Sequence, residues 1–81
     1  MNARSTPTLQ NRLRVARAEL AMSQEGLARS VGVSRQTISS IETGQYCPST
    51  LLAFRLAAAL RIPVDLLFWI EETNDDAVDG T

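Results

Sequence analysis

Arg35, Gln36, Ser39 and Ser40 are the residues of this chain whose types and spacing best suit work on a partner. On a helix, positions i, i+1, i+4 and i+5 lie on one side, and all four side chains carry hydrogen-bonding atoms. Arginine matches guanine O6 and N7 as a bidentate donor, glutamine matches adenine N6 and N7, and serine accepts or donates as needed. The chemistry on offer is recognition of base edges in double-stranded DNA, without bond making. Catalysis has no such constellation. The chain has no histidine, no base beside Cys47, no carboxylate pair on one helix face and no glycine-rich phosphate loop, so no enzymatic activity is expected. The single thiol lacks a second cysteine for an internal disulfide and lacks ligand companions, so no cofactor and no metal are expected.

Side chains that read a groove must stand on a short exposed helix held at a fixed angle. The stretch SQEGLARSVGVSRQTISSIETG, residues 23–44, supplies one. Ser23 is placed to cap a helix ending near Ser30 or Val31, with Gln24 and Glu25 in its first turn. Gly32 can take the positive φ that ends it, and Ser34 then caps the next helix. Ala28 allows close approach of the two, Ile38 plugs their crossing, and Leu27, Val31, Val33 and Ile41 face a core. Gly44 suits the position just past the second helix. The pair reads as a helix-turn-helix, the second member being the reading helix.

Around this unit, Leu9, Leu13, Ala16 and Leu20 form an i, i+4, i+7, i+11 stripe, which predicts a first helix over residues 9–22. Pro48 and Ser49 mark a loop and a cap, so a fourth helix is expected over Thr50–Leu60. Leu52, Leu56, Ala59 and Leu60 make its inward stripe, leaving Leu51, Phe54 and Ala58 outside it. Pro63 opens a short last helix or turn. Apolar residues then run almost unbroken from Val64 to Ile70, more than one face can bury, which points to a homodimer seam. Residues 1–8 hold Pro7 and no hydrophobic period, so a flexible arm is expected there, with Arg4 in reach of phosphate. Residues 71–81 read as an acidic disordered tail, leaving residues 9–70 as the DNA-binding and dimerisation domain.

Eighty-one residues allow one small domain whose core alone gives modest stability. No apolar run is long enough to span a bilayer and no signal-peptide pattern opens the chain, so a cytoplasmic location without membrane contact is expected. The net charge of −1 hides a segregation. Residues 1–61 carry eight arginines against Glu19, Glu25 and Glu42, which is +5, while residues 62–81 carry six acids and no base, which is −6. A basic body with an acidic end suits one face on DNA and the other pointing away.

The segments NRLRVARAELAMSQEGLA, VGVSRQTISSIETG, YCPSTLLAFRLAAAL and VDLLF, in this order, resemble the Cro/phage-repressor type of helix-turn-helix regulator, also called the xenobiotic response element family. The resemblance spans about residues 9–70. It implies an all-α, lambda-repressor-like five-helix domain, with room for a short C-terminal strand at the dimer seam. It also implies dimerisation through the C-terminal region and an inverted-repeat DNA operator.

By position, the family places Gln24 against a phosphate, where a helix N-terminus already favours an anion. It reads bases with Arg35, Gln36, Ser39 and Ser40. Ser34, Thr37, Tyr46 and the 43–45 loop with Thr43 and Gln45 are expected at phosphates, which set register without carrying sequence information; Arg14 and Arg55 are weaker candidates. Arg17 and Glu42 match a salt bridge tying the first helix to the end of the third. The expected dimer residues are Leu51, Phe54, Leu66, Phe68, Trp69 and Ile70. Three positions depart from the pattern: Thr43 replaces the usual asparagine, Arg61 a frequent glycine, and Pro63 a capping serine or threonine. Arg61 must then adopt a left-handed conformation, or the fourth helix must end differently. With no separate sensor domain, no small-molecule ligand is expected. A protein-interaction module of the antitoxin type, with DNA binding as autoregulation, is the competing function.

Overall fold

The computed structural model describes residues 5–74, with side chains described for residues 8–72. Arg4 and the rest of 1–4, like 75–81, lie outside the described residues, and so do the phosphate and disorder expectations placed on them. Five helices follow one strand and precede another: β1 Ser5–Asn11, α1 Leu13–Glu19, α2 Gln24–Val31, α3 Arg35–Glu42, α4 Thr50–Leu60, α5 Val64–Leu67 and β2 Phe68–Asn74. Among the described residues no helix is long and apolar enough to cross a membrane.

The fold is mostly helical but not all-α, because β1 and β2 pair as a two-stranded antiparallel sheet. Leu9 faces Ile70, Asn11 faces Phe68, and Ser5 faces Asn74. Residues 5–8 are thus a strand where an arm was expected, and residues 71–74 a strand where a tail was expected. The first helix is correspondingly shorter than its stripe: Leu9 belongs to β1, and Leu20, just past α1, is 39% exposed. The physical cause is the partner strand. Leu9 pairs with Ile70 of a strand far along the chain and packs on the core from there, and local periodicity cannot register that pairing.

Helix ends follow from capping. Ser23, Ser34 and Ser49 each accept the backbone N–H three residues on, at the third position of the helix they open, from Gly26, Thr37 and Leu52. At the other ends, α1 to α4 all close in one way, a left-handed residue whose successor donates its N–H to the carbonyl five residues back. The bonds are Met22 to Arg17 O, Val33 to Ala28 O, Gln45 to Ser40 O and Ile62 to Ala57 O. Gly32 and Gly44 hold two of the left-handed positions, at φ 78° and 81°, but Ala21 and Arg61 hold the others, at 53° and 63°.

Arg61 therefore carries strain that glycine would not. Arg61→Gly is expected to raise stability by about 0.5–1 kcal/mol, the relief of a left-handed side chain less glycine's extra unfolded-state entropy. Urea unfolding checks this, and a loss of stability would mean that the side chain contributes more than its backbone costs.

The core joins Leu13 and Ala16 of α1, Leu27, Ala28 and Val31 of α2, Ile38 and Ile41 of α3, and Leu52, Leu56, Ala57 and Leu60 of α4. Leu67 and Phe68 close it from the C-terminal side. Ala57 is buried where Ala59, only half-buried, was expected on the inward stripe. Phe68 is 8% exposed and so belongs to this core, not to a dimer seam. Its position opposite Asn11, at the base of the ribbon, turns it toward the helices.

Candidate nucleic-acid interface

The turn between α2 and α3 sets the site. Gly32 ends α2 in the left-handed region, and two residues later the extended Ser34 caps α3. Ile38, fully buried, seats α3 against the core, so the residues around it face outward by helical period. Arg35 and Gln36 are exposed at the N-terminal end of α3, and Ser39 and Ser40 are half-buried one turn later. The four expected base readers thus lie along one helix.

Gln24 is held at both ends of its amide. Its Nε2 donates to Glu42 Oε1 at 3.0 Å and its Oε1 accepts from Arg35 Nη1 at 3.3 Å. A primary amide has two donors, so one hydrogen stays uncommitted beside the first turn of α2. The backbone N–H groups of Gln24 and Glu25 there have no intrahelical acceptor. This is a surface suited to a phosphate, although the Glu25 carboxylate in the same turn opposes one; it is paired at 3.6 Å with Arg29.

Behind Gln24 stands a bidentate ion pair. Arg17 Nε donates to Glu42 Oε2 at 2.6 Å and its Nη2 to Oε1 at 3.2 Å, while Nη1 donates to Met22 O at 2.9 Å. The Glu42 side chain is 1% exposed, and Arg14, itself largely exposed, approaches it to 3.9 Å. Burial works to raise the Glu42 carboxyl's affinity for a proton. The hydrogen bonds from Arg17 and Gln24 and the charges of Arg17 and Arg14 outweigh it, leaving its pKa below the ordinary value. A continuous chain of contacts, Arg17 to Glu42 to Gln24 to Arg35, runs from α1 to the outer face of α3.

The other expected phosphate residues divide. Gln45 and Tyr46 are exposed in the loop after α3, with their backbone N–H groups spent on Ser40 O at 2.8 and 3.2 Å. Their side chains alone remain for a ligand. Ser34 and Thr37 share a hydroxyl bond at 3.0 Å, and Thr43 donates its hydroxyl back to Ser39 O at 3.1 Å. These three hydroxyls have capping work inside the protein first. Among the expected dimer residues, Leu51 and Phe54 are exposed on α4, Leu66 on α5, and Trp69 and Ile70 on β2. Consecutive strand residues point to opposite faces, so Trp69 and Ile70 do not share one surface.

One residue escaped sequence reasoning. Asn11 accepts the Leu13 N–H on Oδ1 at 3.0 Å and donates Nδ2 to Ile41 O at 3.0 Å. Its signal was available, since asparagine just before an apolar period is a helix-start residue; starting the stripe at Leu9 placed it inside the helix instead. No group of three or more residues suited to hold a metal occurs among the described residues.

Comparison with known proteins gives a consistent result. A helix-turn-helix family matches residues 13–67 of the chain. The uncharacterised HTH-type transcriptional regulator YgzD of Bacillus subtilis is 42% identical over 66 residues, covering 82% of this chain and all of that protein. An uncharacterised HTH-type transcriptional regulator of Methanothermobacter thermautotrophicus is 48% identical over 61 residues, covering 74% of this chain and 88% of its own. Among solved structures, the restriction-modification controller protein C.AhdI of Aeromonas hydrophila superposes with a TM-score of 0.62 at 36% identity, over 64% of this chain and 79% of that one.

Proposed function

Since this chain belongs to the Cro/phage-repressor-type helix-turn-helix family of DNA-binding transcriptional regulators, we propose that it acts as a homodimeric repressor on an inverted-repeat operator. Each subunit inserts the N-terminal half of α3 into a major groove. Arg35 and Gln36 read bases there, helped by Ser39 and Ser40. Gln24 and the loop side chains Gln45 and Tyr46 meet phosphates, with Ser34, Thr37 and Thr43 in secondary roles. The observation that carries this reading is the pairing of Arg35 with Gln24 across the turn. It links a base-reading guanidinium to a phosphate-facing helix start across the turn.

What supports a dimer is the set of exposed apolar side chains, Leu51 and Phe54 on α4, Leu66 on α5, and Trp69 and Ile70 on the two faces of β2. That is more than scattered surface residues account for in a domain this small. A two-fold pair of reading helices requires half-sites about 10 base pairs apart, centre to centre. A dimer clamped across a promoter excludes polymerase, which makes repression the simplest output.

The test is selection of the purified protein on a randomised duplex library at low and at physiological salt. An enriched inverted repeat, bound more weakly as salt rises, is the expected result. Folded protein that enriches nothing would overturn the reading in favour of the antitoxin-type interaction module.

A further inference from the structure

Asn11 ends β1 where the chain turns into α1, and both ends of its side chain are occupied. Oδ1 caps α1 through Leu13 N–H, and Nδ2 reaches Ile41 O in the last turn of α3. The same Ile41 carbonyl receives the Gly44 N–H that closes α3, at 3.0 Å. Next to it, Arg12 donates its backbone N–H to Leu67 O of α5 at 3.0 Å. Residues 11 and 12 therefore fasten β1, α1, α3 and α5 to one another.

A helix held at one point pivots about it. The Arg17–Glu42 pair supplies one anchor for α3, and the Asn11 bond supplies a second at the adjacent residue, about 100° further round the helix. Together with Ile38 and Ile41 in the core they restrain the tilt and roll of α3. Arg35 and Gln36 stand about 8–9 Å along the axis from this anchored end. A tilt of about 10° there moves them by about 1.5 Å, enough to pull a donor out of hydrogen-bond range of a base edge.

We infer that Asn11 is a positioning residue for DNA reading: its Nδ2 bond to Ile41 O sets the orientation of α3 relative to the β1–β2 ribbon. The inference rests on the proposed DNA-binding function. Asn11 and Ile41 line the wall of an open groove together with Leu9, Tyr46 and Ile70. Water can therefore take up the Ile41 carbonyl when Nδ2 is removed, and the domain still folds.

Asn11→Asp separates the two roles, because it keeps an oxygen for Leu13 N–H and loses the donor to Ile41. Asn11→Ser keeps a cap without adding a charge and decides the matter should the aspartate variant not fold. The measurement is the ratio of affinity for the selected duplex to affinity for a scrambled duplex, taken well below the unfolding temperature of each variant. A positioning role lowers that ratio by about fivefold to tenfold, the worth of one hydrogen bond to the reading geometry. An unchanged ratio in the folded variants overturns the inference, since a cap alone shifts only the unfolding temperature. Wild-type protein that does not distinguish the two duplexes removes the DNA-reading premise and the inference with it.

Discussion

Glu42→Ala is expected to destabilise the domain by about 3 kcal/mol, a large share of what a domain this small possesses. The loss is that of an uncompensated ion. With the carboxylate gone, the Arg17 guanidinium, whose side chain is only 15% exposed, keeps Met22 O as its remaining acceptor. The desolvation of Arg17 is then unmatched by attraction. Replacing both partners with apolar residues, Arg17→Met with Glu42→Leu, should cost less than Glu42→Ala alone, because neither charge is then buried. Urea unfolding of the three variants checks both statements. A double variant worse than the single would mean that the pair contributes beyond charge balance. The pH dependence has a definite direction. The folded Glu42 carboxyl titrates below its ordinary 4.5, so the stabilisation is complete above that value and is lost as pH falls through the lowered folded one. The gap between wild type and Glu42→Ala should therefore narrow as solutions are taken from about pH 7 to about pH 3.

Arg35→Ala with Gln36→Ala should weaken binding to the selected operator by about a hundredfold or more, at roughly 1–3 kcal/mol for each lost bidentate base contact. Binding to scrambled DNA should fall far less, because that affinity comes from phosphates and only one positive charge is removed. The two single variants are not equivalent. Arg35 is bonded to Gln24, so its removal also frees the amide beside the start of α2. Gln36 is exposed and holds no such bond, which makes Gln36→Ala the cleaner probe of base reading. Titration of labelled duplexes by fluorescence anisotropy separates the two affinities. A double variant that binds operator as wild type does would remove α3 from the groove.

How much of this was legible in the sequence depends on how far apart the cooperating residues lie. Ser23, Ser34, Ser49, Gly32 and Gly44 announce helix ends by type alone, and α2, α3 and α4 fall where those residues put them. Ala21 closes α1 in the same left-handed geometry without a glycine to signal it, so the end of that helix was read late. The strand β1 carried no readable pattern: STPTLQN is short, polar and interrupted by Pro7, and its only structural reason is β2. Phe68 looked like surplus apolar matter because the pocket it fills is assembled from helices elsewhere in the chain. At the site, the exposed face of α3 was readable from period and residue type. The Arg17–Glu42 pair came only through resemblance. The Gln24 and Asn11 bonds link positions that no local rule connects.

The ribbon also orders events in time. The helices α1 to α4 lie within residues 13–60, and the contacts among them span shorter stretches of chain than the pairing of β1 with β2 does. Ser5 meets Asn74 only when the last described strand is complete. Local helical contacts form quickly, whereas closing distant segments requires loop entropy to be overcome first. The helices of the reading surface are thus expected to form before the ribbon closes. The strand pairing that steadies the Asn11 junction is expected last, so a refolding domain has its reading helix before it has the brace that aligns it.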